Sequence, residues 1–315
     1  MKISIIIPAY NEEITIRDVI IDFHKNLPDA FIYVIDNNSN DSTNQIAKKT
    51  MDEFNIKGEV LFEPRQGKAN AVRKAFSEID SDIYLMVDAD LTYPAQDAHK
   101  LIKPIVNGYD MVVGDRISNK SYKKENKRKF HGFGNWLVKK LINLLFRGNL
   151  TDIMSGYRAF NRTFVKNYPI LVEGFELETD MTLHALHKRF KILEVPIEYK
   201  DRPKGSFSKL NTLKDGIRVI STIVKILRVY KPFLFFSMIS IFFILGSLAC
   251  GLPVILEFIK NRFITRIPLA ILATGLAIFS FLSFAIGLIL QAITDLHKYE
   301  YELHLLNYKS KNNNK

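Results

Sequence analysis

The chain has one cysteine, Cys250, among 315 residues. No intrachain disulfide is therefore available, and no chemistry upstream of that position runs through a protein thiol. Cys/His spacings of the kind that hold zinc are missing, as is any recognised nucleic-acid motif, so the net charge of +11 is not read as a duplex-binding signal. Charged residues are themselves absent from residues 232–256 and 267–294. Each stretch is long enough to cross about 30 Å of hydrocarbon with some tilt, so two transmembrane helices are expected. A secretory signal core is also missing: the run 3–7 is short and leads into Pro8 and Asn11-Glu12-Glu13. The domain before the spans is therefore expected on the cytosolic side. The connection at 257–266 carries Lys260, Arg262 and Arg266, which blurs a positive-inside argument.

The basic residues cluster at 120–140 and 200–231, beside or within apolar patterns, and the second cluster leads straight into the first span. Such placement suits an anionic membrane surface. Phe130, Phe133, Leu137, Leu141 and Leu144 recur at spacings of three and four with lysines around them, and Trp136 suits a lipid boundary. Leu213, Ile217, Ile220, Val224 and Leu227 form a second stripe. The tail 309–315 is polar and is expected to be disordered.

Short apolar runs at 4–7, 31–35, 59–62, 83–87 and 111–113 alternate with helix-length amphipathic segments. This is the pattern of a doubly wound α/β sheet, whose ligands bind beyond the carboxyl ends of the strands. Asp41-Ser42-Thr43 offers caps for the second helix. After 116 the alternation breaks.

Turns rich in functional side chains follow the strands. Asp88-Ala89-Asp90 follows the apolar run ending at Val87. Residues two apart on a strand lie on one face, roughly 6.6 Å apart, so both carboxylates are expected to address one site, in a manner that suits a hard divalent cation holding a diphosphate. Tyr10 can stack on a base, Asp36 can accept hydrogen bonds from a base or ribose, and Lys68 can meet phosphate. Gly67-Lys68 is not a P-loop, because the upstream glycine and following Ser/Thr are missing.

With Asp152-Ile153-Met154-Ser155-Gly156-Tyr157-Arg158, Glu176-Leu177-Glu178, Glu194-Val195-Pro196 and Arg202-Pro203-Lys204-Gly205-Ser206-Phe207-Ser208-Lys209, these turns resemble the family 2 glycosyltransferases of the GT-A fold. Within that family the chain is similar to the polyprenyl-phosphate glycosyltransferases, such as dolichyl-phosphate mannose synthase and the bacterial bactoprenyl glucosyltransferases. Asp36-Asn37-Asn38 departs from the second turn of many relatives while keeping its carboxylate.

The resemblance implies a mostly parallel, Rossmann-like α/β domain over 1–210, with an interfacial segment at 120–147. A juxtamembrane helix at 211–231, spans at 232–256 and 267–294 and a tail at 295–315 complete the expected organisation. It implies that Pro8, Tyr10, Glu12, Asp36, Lys68, Asp88 and Ala89 surround the nucleotide and that Asp90 ligates Mg²⁺ or Mn²⁺. Arg116, Ser155, Arg158 and Lys209 would hold the lipid phosphate, and Arg202 would face a phosphate. Catalytic roles then fall to Asp90, Asp152, Arg116 and Arg202. The expected partners are a nucleotide sugar, with UDP-hexose favoured, a polyprenyl phosphate, the bilayer of a bacterial inner membrane and a possible second copy through the spans.

A phosphate monoester acceptor is mostly dianionic at neutral pH, since its second pKa is near 6, so a strong base is hardly needed. Asp152, or else Glu178, is the candidate for orienting the acceptor or taking a residual proton. Direct attack on an α-linked donor would invert the anomeric centre. Two other readings stand beside this one. A processive polysaccharide synthase would usually carry a Gln-x-x-Arg-Trp motif, which this chain lacks, and a noncatalytic scaffold would have no need of paired charges at one cleft.

Overall fold

The computed structural model describes residues 1–118, 129–146, 148–172, 177–200 and 212–313. By internal contacts the chain divides into two compact units, Met1–Asp215 and Gly216–Lys315.

In the first unit, strands and helices alternate as β1 (Ile3–Ala9), α1 (Ile16–Asn26), β2 (Phe31–Asp36), α2 (Thr43–Glu53), β3 (Gly58–Phe62), α3 (Lys68–Glu78) and β4 (Ile83–Met86). A 3₁₀ turn at Ala95–Asp97 precedes α4 (Ala98–Val106) and β5 (Met111–Asp115). Then follow α5 (Lys129–Phe146), β6 (Arg158–Asn161), α6 (Arg162–Lys166), α7 (Leu177–His187) and β7 (Ile192–Pro196). Among the described residues these strands form one seven-stranded sheet in the order β3-β2-β1-β4-β6-β5-β7. β6 alone runs antiparallel, between β4 and β5. The reversal coincides with the broken alternation after 116: α5 intervenes, but β6 returns beside β5 antiparallel and not as the next parallel strand of a β-α-β unit.

The apolar runs fold into strands because both faces of the sheet are covered. Ile5, Ile7, Ile32, Val34 and Leu85 are all fully buried and share one core with Val19, Ile20 and Phe23 of α1. A fully covered parallel sheet explains the near-continuous hydrophobic runs, in place of strict alternation. β1 lies between β2 and β4, so the strand order reverses direction beside it, and Ala9 sits abreast of Asp36 at the carboxyl edge. That is the switch point where such sheets bind ligands.

The expected strand over 83–87 closes earlier in its ladder. Its last register pair is Ile6 with Met86, the Val87 N–H still reaches the Ile6 carbonyl at 3.0 Å, and Leu91 takes a left-handed φ of 62°. Asp88 and Asp90 therefore stand on a turn and not on one strand face, so the turn's own hydrogen bonds set their spacing. At α2, the Asp41 carboxylate accepts from the Thr43 N–H at 3.0 Å, whereas the Ser42 side chain makes no capping bond.

On α5 the residues that face the core are Val138 and Ile142, while Leu144 is 75% exposed. The expected stripe through Leu137, Leu141 and Leu144 is thus turned by about one position; the side chains of Phe130 and Phe133 lie outside the described residues. Trp136 is exposed, with the Lys140 ammonium 5.0 Å from its ring centre.

A histidine fixes an acid limit for this unit. His184 packs among Tyr168, Phe190 and Phe164, with ring centroids at 4.9, 5.9 and 6.0 Å. Burial pushes its pKa down from 6.5 to about 3. Between these values the unfolded chain binds a proton that the folded chain refuses, so stability falls as pH drops through that window. His184→Phe is expected to flatten this loss between pH 6.5 and 3, read as the melting temperature of the detergent-solubilised protein against pH.

The second unit holds most of α8 (Thr212–Tyr230) together with α9 (Pro232–Asn261) and α10 (Ile267–Asn313). Ile226 of α8 is buried and Val224 exposed, so this stripe is also offset from the expected one; the side chains of Leu213, Ile217 and Ile220 lie outside the described residues. α9 and α10 pack antiparallel. The Ser240 and Ser280 hydroxyls meet at 2.9 Å, and Ser247 donates to the Ala273 carbonyl at 2.8 Å. Only 11% of each apolar window is buried within the chain, which distinguishes the pair from soluble core helices and fits a lipid environment. The tail expected to be disordered continues α10 as helix through Asn313.

Candidate active site

The carboxyl edge of the sheet gathers most of the expected residues. Asp36 is buried at the end of β2, where its carboxylate accepts from the Ser39 N–H at 3.1 Å and the Asn44 amide at 3.0 Å. Next to it Asn37 donates to the Arg65 carbonyl at 2.6 Å and accepts from the Gly67 N–H at 2.6 Å. It thereby holds the loop that delivers Lys68 at the start of α3, where Gly67 takes a φ of 123°. Tyr10 accepts from the Gln66 amide of that loop at 3.3 Å. Pro8 and Ala9, abreast of Ile35 and Asp36, set the height of the β1 turn. Glu12 accepts from the Thr15 hydroxyl at 3.1 Å, and Thr15 also donates to the Ala89 carbonyl at 2.7 Å.

The acidic turn is pinned at each member. Asp90 is buried, and its Oδ1 accepts from the Thr92 hydroxyl at 2.6 Å and the Thr92 N–H at 3.2 Å. Asp88 takes the Lys68 ammonium, which also reaches Glu178 Oε1 at 2.5 Å. Burial alone would lower the Lys68 pKa, but Asp88 and then Glu178 outweigh it and hold the ammonium well above its ordinary value. In this arrangement Lys68 fixes two carboxylates rather than standing open to a phosphate.

A second charged cluster lies at the end of β5. Arg116 grips Asp152 with two parallel bonds, Nε to Oδ2 at 2.7 Å and Nη2 to Oδ1 at 2.8 Å, and its N–H adds a third at 3.1 Å. Nη1 lies 3.3 Å from the Tyr93 hydroxyl, and the guanidinium stands 5.5 Å from the centre of the Tyr199 ring. The turn carrying Asp152 is clamped from β7, where Glu194 accepts from the Thr151 N–H at 2.6 Å and the Asp152 N–H at 2.8 Å. Asp115 accepts from the Thr151 hydroxyl at 2.7 Å and the Ile117 N–H at 2.8 Å. Burial works to raise the Asp115 carboxyl, but bonds from Ser118, Thr151 and the backbone hold it below its ordinary value.

Gly156 joins the two clusters. Its N–H donates to Tyr93 at 3.0 Å, and its α-carbon faces Asp88 and Lys68 so closely that a methyl group there would collide with Asp88 Oδ2. Gly156→Ala is therefore expected to lower turnover by about 10²-fold, the scale of a 1 Å misplacement. Its melting temperature should stay near that of the parent, since the atoms displaced are side-chain ends.

Two assignments change on this geometry. Arg158, expected at the lipid phosphate, is fully buried and spends its donors on the Ser155 carbonyl at 2.8 Å, the Ile153 carbonyl at 2.6 Å and the Thr182 hydroxyl at 2.9 Å. It braces the 152–157 turn, and Ser155, also fully buried, belongs to that brace. Asp152, the candidate base, has both oxygens committed to Arg116. Arg202 and Lys209 lie outside the described residues, as does Glu176.

The sequence matches the profile "Glycosyl transferase family 2" over residues 4–168, just over half of the chain. The chain belongs to glycosyl transferase family 2. Glycosyltransferase AglJ of Haloferax volcanii is 29% identical over 297 residues, 94% of this chain and 95% of its own length. The dolichyl-phosphate hexose transferase of the same organism is 27% identical over 224 residues, covering 71% of this chain and 93% of its own. Among solved structures, glucosyl-3-phosphoglycerate synthase from Mycobacterium tuberculosis, in complex with Mn²⁺ and UDP-glucose, superposes with a TM-score of 0.53 at 20% identity, covering 72% of this chain and 78% of that one. The family 2 domain is thus of the GT-A type, followed by two apolar helices able to form a transmembrane hairpin.

Tyr93, Thr15, Asn37 and Gly156 had no assigned role in the sequence reading. Asn37 was visible there only as a departure from the relatives, and Gly156 only as a letter of the 152–158 motif.

Proposed function

We propose that this family 2 enzyme transfers a hexose from UDP-hexose to a polyprenyl phosphate, with inversion, at the cytoplasmic face of a bacterial inner membrane. The observation that carries the reading is the pair of charged clusters at the carboxyl edge, Asp88–Lys68–Glu178 and Arg116–Asp152, bridged by Gly156 and Tyr93. Similarity to a dolichyl-phosphate hexose transferase supports the acceptor class. The apolar hairpin supports it as well, since a polyprenyl chain leaves lipid only at about 0.8 kcal/mol per methylene.

Tyr10 and Asp36 take the nucleoside. Among the described residues no group of three or more His, Cys, Asp or Glu side chains forms a metal cage. A lone hard donor such as Asp90 fits Mg²⁺ or Mn²⁺ that draws its other ligands from diphosphate oxygens and water, and the Mn²⁺ of the glucosyl-3-phosphoglycerate synthase supports this. Bound there, the ion supplies charge neutralisation for the departing nucleoside diphosphate. Lys68 keeps Asp88 in place beside Asp90. Asp152 holds the Nε and Nη2 edge of Arg116 and so orients the guanidinium at the end of β5, where its charge would face an acceptor phosphate. With that phosphate already dianionic, neither Asp152 nor Glu178 needs to take a proton, in keeping with their commitment to Arg116 and Lys68.

Membranes containing the protein, incubated with labelled nucleotide sugars and a short polyprenyl phosphate, are expected to put label into the organic phase as a β-linked phosphosugar, fastest from UDP-hexose and not at all in EDTA. A product that retains the donor configuration, or label confined to a water-soluble polymer, overturns the proposal.

A further inference from the structure

Tyr93 stands where the two charged clusters meet. Its ring is 4% exposed and is held by Tyr157 and Tyr199, with ring centroids at 5.3 and 5.5 Å. The hydroxyl oxygen accepts from the Gly156 N–H at 3.0 Å and from Arg116 Nη1 at 3.3 Å. Both bonds use the oxygen's lone pairs, which leaves the phenol's one hydrogen over. Among the described residues no acceptor takes it. A buried donor is seldom left in that condition, because its desolvation is then uncompensated.

The surroundings indicate the chemistry of the missing acceptor. The hydroxyl touches the Arg116 cation and, among the described residues, no carboxylate. The nearby Asp88 carboxylate, which faces the Gly156 α-carbon, is already paired with the Lys68 ammonium. An anionic oxygen suits such a place, since one such oxygen can answer the O–H and the guanidinium charge together. Asp88 and Arg116 keep 29% and 13% of their side-chain surface in solvent, so the hydroxyl lies just beneath groups that line the open cleft. Burial pushes the Tyr93 phenol well above its ordinary value; Arg116 opposes this, and Asp88 and Asp152 add to it, so the hydroxyl keeps its hydrogen across neutral pH.

We propose that the Tyr93 O–H donates a hydrogen bond to an oxygen of the acceptor's phosphate monoester beside Arg116, an inference that rests on the transfer reaction proposed above. Tyr93 is then a binding residue for the acceptor, and its bonds to Gly156 and Arg116 set the direction in which its hydrogen points.

The test uses the full chain in membranes, with a short polyprenyl phosphate and labelled UDP-hexose. Tyr93→Phe keeps the ring and is expected to raise KM for the polyprenyl phosphate about tenfold or more, the scale of a hydrogen bond to a charged group, while kcat changes less than about threefold and KM for the sugar nucleotide stays that of the parent. Because this variant also strips the Gly156 N–H of its partner, a second arm places 3-fluorotyrosine at position 93, which makes the hydroxyl a stronger donor and a weaker acceptor. Its KM for the polyprenyl phosphate is expected at or below the parent's. An unchanged acceptor KM in Tyr93→Phe, a rise in KM for the sugar nucleotide in place of the acceptor, or a raised acceptor KM with 3-fluorotyrosine overturns the inference and leaves the transfer reaction standing. A parent that moves no sugar onto the polyprenyl phosphate overturns both.

Discussion

Asp90→Asn is expected to reduce sugar transfer by on the order of 10²–10³-fold, the loss seen when one preorganised charge is removed from an active site. The substitution is nearly isosteric, and the side chain's oxygen can still accept from the Thr92 hydroxyl and N–H, so the turn should keep its shape. What disappears is the negative charge that would hold a divalent ion. The variant should therefore insert into membranes and melt like the parent, while added Mn²⁺ or Mg²⁺ no longer stimulates it. Measured side by side, initial rates across a metal titration distinguish the parent from the variant. Retention of metal-stimulated turnover by Asp90→Asn would remove the acidic turn from the mechanism.

Asp152→Asn is expected to act differently. Arg116 and Asp152 have side chains only 13% and 3% exposed and share two short bonds. Breaking a buried pair by removing one partner's charge typically costs about 3–5 kcal/mol, because the remaining ion stays desolvated. The variant should melt at a markedly lower temperature and lose about 10²-fold in kcat/KM for the polyprenyl phosphate, mainly through KM, with little change in KM for the sugar nucleotide. Its pH profile should keep the parent's acid limb, since a residue that positions Arg116 takes no proton itself. Disappearance of that limb would return Asp152 to the role of base. Arg116→Lys offers an independent check, because it keeps the charge but loses the fork that matches Asp152 and a phosphate together.

The strands and the acidic turn were legible because they depend on local pattern: uninterrupted apolar runs for strands covered on both faces, and polar residues where each run stops. The antiparallel β6 was hidden, since the period of Arg158–Asn161 is too short to declare its direction. The helix faces were misjudged for a related reason. α5 and α8 each carry more apolar residues than one face can bury, and the periodicity alone does not single out the buried Val138, Ile142 and Ile226. Asp36, Asp88 and Asp90 stand beyond the ends of β2 and β4, where their places after apolar runs led them to be expected. The roles of Tyr93 and Gly156 depend on side chains arriving from separate elements, and a linear reading has no means to see them meet. Arg158 misled because a cation in an acidic, polar motif reads as a ligand for phosphate, while its burial beside three backbone and hydroxyl acceptors is a tertiary fact.

Because β6 runs backwards beside β5, with Val113 abreast of Arg158, the chain leaves the sheet and re-enters it at the same rim. Everything between those two points is a detour whose ends are already fastened to each other. The Arg116–Asp152 pair and the Gly156 N–H bond to Tyr93 stand at those fastened ends, and between them α5 buries Val138 and Ile142. Arg116 and the 152–157 turn are thereby held side by side by strand pairing itself, with the Gly114 N–H donating to the Tyr157 carbonyl at 2.9 Å.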